Sequence, residues 1–278
     1  MADTGKREVI GFIGLGSQGA PMARRLIAVG YPVVLWARRP ETLAPYAGTA
    51  AKTANSVAEL GAQCDHVGIC VVNDADVREV CAALIPAMRR GGRIAIHSTI
   101  HPDTCIALAK EAAARGLALL DAPVSGGGPA AEVGKLTVMV GGEAAAVAAA
   151  RLVFQAFGSL IVHLGGVGAG QNAKLINNSL MAANLAMAHH ALAAGAVLDL
   201  DREKLAELVK ASSGRSYAFE VWARMPSPAM FGHGAALLAK DVRLLGEALR
   251  GDPSFAAFRD IAAPFLDFVE STAAKPAR

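Results

Sequence analysis

Residues 9–29 read VIGFIGLGSQGAPMARRLIAV: an apolar run, a loop punctuated by glycines, then a helical pattern. The spacing Gly14-x-Gly16-x-x-Gly19 is a weak signal alone, but a strand before it and a helix after it point to a dinucleotide. Gly14 permits the tight turn, Gly16 lets a pyrophosphate approach the backbone, and Gly19 allows close packing of helix on strand. Leu15, Ser17 and Gln18 complete the loop, and the N–H groups of the following helix face the phosphates. The blander alternative is a glycine turn in some other α/β protein.

Outward from this unit, apolar runs at 33–37, 66–72, 93–97 and 117–121 alternate with helical patterns such as 75–89 and 103–115. Near-continuous hydrophobicity suits parallel strands covered on both faces. The rhythm predicts an α/β chain with a Rossmann-type doubly wound sheet over residues 1–167. The runs at 135–140 and 160–164, with a helix at 143–157 between them, can extend that sheet. From 168 to 278 strand signals fade and helices are broken by SSGRSY, RMPSPAMFGHG and RGDPS, which predicts an all-α second domain. The terminal AAKPAR is expected to fray.

At 278 residues, two modest cores are expected rather than one. Hydrophobic residues make up 53% and the net charge is +3, which excludes extended disorder and gives nucleic acid little footing. Cysteines 64, 70, 81 and 105 form no CxxC and read as free thiols of a reducing compartment. The N-terminus lacks a secretory h-region. The apolar stretch at 180–198 contains Asn184, His189, His190 and Gly195, so a buried helix explains it better than a membrane span. A soluble cytoplasmic protein is expected, with no membrane, nucleic acid or metal partner.

About 20 residues after the glycine loop, NAD binders place a carboxylate for the ribose 2′-hydroxyl. This chain has WARRPETL there, with no acid before Glu41. Arg38 or Arg39 can pair with a 2′-phosphate, so NADP is favoured and NAD left open. Strand ends VVND (71–74), HSTI (97–100) and DAPVSGGG (121–128) gather at the carboxyl edge of a parallel sheet, where ligands bind. Val72 and Asn73 are assigned to the cofactor. The SGGG stretch offers a hydroxyl and closely spaced N–H groups, a clamp for a carboxylate.

Lys174 opens the helical pattern AGQNAKLINNS (169–179) among uncharged neighbours. On a helix Asn178 projects about 40° from it and Asn177 about 60° to the other side, so one face carries an ammonium and two amides. A helical lysine is ordinarily a solvated end. At a domain boundary, where small-molecule sites are common, it can pass a proton to or from a substrate oxygen, and partial burial would bring its pKa down towards working pH.

Four stretches in order, GFIGLGSQGAPMARRL, DAPVSGGGPAAEVGKLTVMVGG, GAGQNAKLINN and KDVRLL (240–245), resemble the signatures of the β-hydroxyacid dehydrogenase family, the group of 3-hydroxyisobutyrate dehydrogenases and tartronate semialdehyde reductases. The likeness runs over about residues 8–270. It implies Lys174 as catalytic acid/base and a small carboxylate-bearing 3-hydroxyacid or semialdehyde as substrate. Ser125, Gly126, Gly127 and Asn178 would hold that substrate, Thr99 and Lys240 would touch the cofactor, and Phe231 and Asp241 would close the site. It also implies a homodimer or homotetramer. Gln18, Ala37, Asn73, His97, His101, Lys135 and Tyr217 depart from the family's usual residues, which leaves substrate identity open. Rival readings are an imine reductase, which generally lacks the lysine, a 6-phosphogluconate-type decarboxylase, whose lysine motif reads KxxHN, and a binder of the same fold without turnover.

Overall fold

A computed structural model describes residues 7–273; of the terminal AAKPAR expected to fray, residues 274–278 lie outside them. The chain separates into two compact units, Met1–Lys174 and Leu175–Arg278. The first contains β1 (Ile10–Ile13), α1 (Gly19–Ala28), β2 (Val33–Trp36), β3 (Lys52–Thr53), α2 (Val57–Gln63), β4 (His66–Ile69), α3 (Asp74–Ala87), β5 (Arg93–Ile96), α4 (Pro102–Ala114) and β6 (Ala118–Asp121). Then follow β7 (Val124–Ser125), α5 (Gly127–Glu132), β8 (Leu136–Gly141), α6 (Ala144–Gln155) and β9 (Gly158–Gly165).

The strands form one sheet in the order β3-β2-β1-β4-β5-β6-β8-β7, with β9 added on β8. From β3 to β6 every pairing is parallel, in the doubly wound order that places ligands at the carboxyl edge. The extension is not parallel throughout. β8 runs antiparallel to both β6 and β7, whereas β9 runs parallel to β8.

Two apolar layers flank this sheet. Ile10, Phe12 and Leu35 face one layer with Met22, Leu26 and Phe154, and Ile13, Val34 and Ile94 face the other with Leu60, Val77 and Leu84. Each large side chain so buried contributes roughly 1.5–3 kcal/mol, and alternate residues of one strand serve opposite layers. Several helices start at residues suited to a helix N-terminus. Ser56 accepts from Glu59 N at α2, Asn73 accepts from Asp76 N at α3, and Pro102 occupies the first turn of α4.

α7 (Ala169–Val197) begins in the first unit and continues into the second. The second unit adds α8 (Arg202–Ala211), α9 (Tyr217–Ala223), α10 (Gly232–Ala248) and α11 (Ala256–Ala273) and has no strand among the described residues. Its core holds Leu185, Phe219, Trp222, Val242, Phe265 and Leu266. The buried helix expected over 180–198 is only partly buried. Ala182, Leu185, Ala186 and Leu192 are covered, while Leu180, Met187 and Val197 are exposed.

Candidate active site

The glycine loop joins β1 to α1 as the sequence predicts. Gly14 has φ +94°, and a Cβ there would lie 2.1 Å from the Cys70 carbonyl oxygen, so only glycine permits this close approach to the end of β4. Gly16 faces open space, with nothing within 4 Å of where its Cβ would stand. No side chain caps α1, whose boundary residue is Gln18, and the Gln18 amide nitrogen is buried with no hydrogen-bond partner among the described residues. An uncapped helix N-terminus, an open cradle and an orphaned amide donor fit the pyrophosphate of a dinucleotide.

Beyond β2 the two arginines diverge. Arg38 Nη2 donates to Asp76 Oδ1 and to Glu79 Oε2, each at 2.9 Å, both acids lying on α3. Arg39 is exposed, and Glu41 lies 3.9 Å from it. At the end of β4, Val72 is exposed and Asn73 spends its side-chain oxygen capping α3.

The SGGG loop packs onto the glycine loop. A Cβ at Gly128 would stand 2.8 Å from the Ser17 carbonyl oxygen. Ser125 ends β7, Gly126 and Gly127 open α5 at φ +126° and +70°, and Thr99 lies half-buried after β5. The structure therefore brings the GLGSQG and SGGG loops side by side.

The start of α7 is tied to the strand ends. Asp121 is fully buried at the end of β6, its Oδ1 accepting from Gly168 N and its Oδ2 from Gln171 N, both at 2.7 Å. Burial raises its carboxyl pKa, against the pull of these backbone N–H groups. The Gln171 side chain, also fully buried, donates to the Ser98 carbonyl at 2.8 Å and accepts from Ile100 N at 3.2 Å. Ser98 Oγ in turn accepts from Val71 N at 2.8 Å. Lys174 follows Gln171 by three residues, about 60° around the helix, and is buried with 9% of its surface exposed.

Lys174, Asn177 and Asn178 all lie on α7. Asn177 is exposed, donating to Asn178 Oδ1 at 3.1 Å, while the half-buried Asn178 donates to Asp241 Oδ2 at 2.6 Å. Lys240 Nζ lies 3.4 Å from Asp241 Oδ1. Asn178, Lys240 and Asp241 thus form one polar group in the helical unit. Phe231 precedes α10 and packs edge-on to Trp222 at 6.2 Å, and helix rise puts Asp241 about 15 Å further along the axis.

Comparison with known proteins decides the kinship. Residues 9–165 match the NAD binding domain of 6-phosphogluconate dehydrogenase, and residues 168–257 match the NAD-binding family of NADP-dependent 3-hydroxyisobutyrate dehydrogenase. The chain belongs to the β-hydroxyacid dehydrogenase family. Mitochondrial 3-hydroxyisobutyrate dehydrogenase of Mus musculus is 34% identical over 84% of this chain and 74% of its own. The NAD-dependent L-serine dehydrogenase of Pseudomonas aeruginosa is 36% identical over 88% and 86%. A solved structure of Mycobacterium tuberculosis 3-hydroxyisobutyrate dehydrogenase with L-serine superposes with a TM-score of 0.84, 27% identical, covering 97% of this chain and all of that one. As a β-hydroxyacid dehydrogenase the chain is an NAD(P)-dependent enzyme.

Four functional candidates escape a reading of the motifs alone: Asp121, Gln171, Asp76 and Glu79. The first two have partners far off in the chain. The acids of α3 carry a usable signal, since a spacing of three puts both on one helical face.

Proposed function

We propose that this β-hydroxyacid dehydrogenase interconverts a small carboxylate-bearing 3-hydroxyacid and its semialdehyde, preferring NADP, with Lys174 as general acid/base. Bound NADP supplies the hydride acceptor, and NADPH the donor. Lys174 takes the proton from the substrate hydroxyl in the oxidising direction and returns it to the carbonyl oxygen in reverse. The observation that carries the reading is the burial of this lysine one turn beyond Gln171, whose amide is fastened to Ser98 and Ile100. A lysine is rarely covered without a task that repays its desolvation. Ser125, Gly126 and Gly127 orient the substrate carboxylate through a hydroxyl and backbone N–H groups. Asn178, set by Asp241, holds the substrate oxygen. Thr99 and Lys240 contact the cofactor.

The enzyme works as a homodimer or homotetramer. The exposed Ile176, Leu180 and Met187 leave an apolar stripe on α7 that supports this, and sedimentation velocity tests it.

The function is tested by assaying 3-hydroxyisobutyrate and L-serine with NADP and NAD, and the corresponding semialdehydes with NADPH. Lys174→Ala should lower kcat by about 10²–10⁴ while NADPH binding, followed by fluorescence, stays near native. Near-normal turnover in that variant rejects the assignment.

A further inference from the structure

Two consecutive arginines after β2 suggest a strong preference for a 2′-phosphate, but only one of them stands clear of acids at hydrogen-bonding distance. Arg38 reaches from the end of β2 to α3, where Asp76 and Glu79 share its Nη2 at 2.9 Å each. Asp76 is also fixed from its own side, its backbone N–H donating to Asn73 Oδ1 at 2.9 Å, and its side chain is only 20% exposed. Asp76 belongs to the first turn of α3, where the helix N-terminus stabilises negative charge, and Glu79 follows on the next turn. Arg39 has a side chain 80% exposed and stands 3.9 Å from Glu41.

A 2′-phosphate carries up to two negative charges and is repelled by carboxylates, whereas a ribose 2′-hydroxyl can donate to one. To pair bidentately with the phosphate, Arg38 must give up two anionic partners. Exposed ion pairs are weak, so the acids compete for the guanidinium without locking it.

We propose that Asp76 and Glu79 are specificity-determining residues for the cofactor: they divert Arg38 and set negative charge beside it, so that Arg39 reads the 2′-phosphate and the margin for NADP over NAD is narrowed. The proposal rests on the glycine loop being the NAD(P) site and deepens that reading. The side chains involved lie at the surface, so their replacement leaves the core intact.

The test is the dissociation constants of NADPH and NADH for the intact protein, measured calorimetrically without substrate, for the native chain, Arg38→Ala, Arg39→Ala and Asp76→Asn/Glu79→Gln. The double variant should tighten NADPH by about three- to tenfold and leave NADH within about twofold. Arg39→Ala should weaken NADPH more than Arg38→Ala does. The gain in the double variant should shrink as salt is raised. Unchanged NADPH affinity in the double variant, or a larger NADPH loss in Arg38→Ala than in Arg39→Ala, overturns the proposal while NADH binding keeps the cofactor site intact. Failure of the native chain to bind either dinucleotide overturns the glycine-loop reading as well.

Discussion

Replacing Asp121 by alanine removes the acceptor for two backbone N–H groups, those of Gly168 and Gln171. Leaving such buried donors unmatched should cost about 1–3 kcal/mol, read as a lower urea midpoint, and Asp121→Asn should cost less because one oxygen still accepts. The sequence marks Ser125, Gly126 and Gly127 in the same stretch but not Asp121, because its partners stand 47 and 50 residues away. Lys174 is legible because it is a lone charge opening an apolar helix. The cysteines give a second residue-scale prediction. Cys64, Cys81 and Cys105 are buried and all four are free. Burial pushes the thiols of Cys64, Cys70 and Cys81 up to about 12. At pH 8 their thiolate fraction is then about 10⁻⁴, so aromatic disulfide reagents should label the native protein orders of magnitude more slowly than the same protein in denaturant.

Among elements, the contact between the two glycine-rich loops is open to a single methyl group. Gly128→Ala puts a Cβ 2.8 Å from the Ser17 carbonyl, so the glycine loop must shift. Binding of NADPH and NADH should weaken together, by about tenfold or more for a shift near 1 Å, and titration of both cofactors checks it. Most strands and helices of the first unit are legible within a residue or two, since apolar runs and capping residues mark them locally. β3 and β7 are two residues each, too short for any periodicity to register. Nor does composition reveal that β8 runs antiparallel to β6, because strand direction is fixed by the connections around it. Phe231 was expected at the substrate on a family likeness alone. It packs edge-on to Trp222 just before α10, the helix that carries Asp241.

For the molecule as a whole, two histidines in the sheet core set an acid limit. Burial lowers the His97 pKa to about 4 and holds His66 well below 6.5. Both rings contact Phe154, His97 Nδ1–H donates to the Ala122 carbonyl, and neither nitrogen of His66 has a hydrogen-bond partner among the described residues. The unfolded chain protonates both near pH 6.5, whereas in the folded chain His97 resists until about 4 and burial holds His66 well below 6.5. Their stabilising contribution is therefore complete above about pH 6.5 and is lost as pH falls below it, for His97 by roughly 1.4 kcal/mol per pH unit down to about 4. Urea midpoints should drop between pH 7 and pH 5, and His66→Leu should flatten that dependence. The two-part organisation is legible from the fade of strand signals near 165. α7 itself begins in the first unit and continues into the second.

The uncapped start of α1 has an effect beyond recognition. With no side chain to close that helix and the Gln18 amide left wanting an acceptor, the ligand-free loop from Leu15 to Gly19 should trade its amide protons for deuterium quickly. Saturation with a dinucleotide should slow that exchange and raise the melting temperature in step with ligand concentration. The enzyme's thermal endurance would then track how much nucleotide surrounds it.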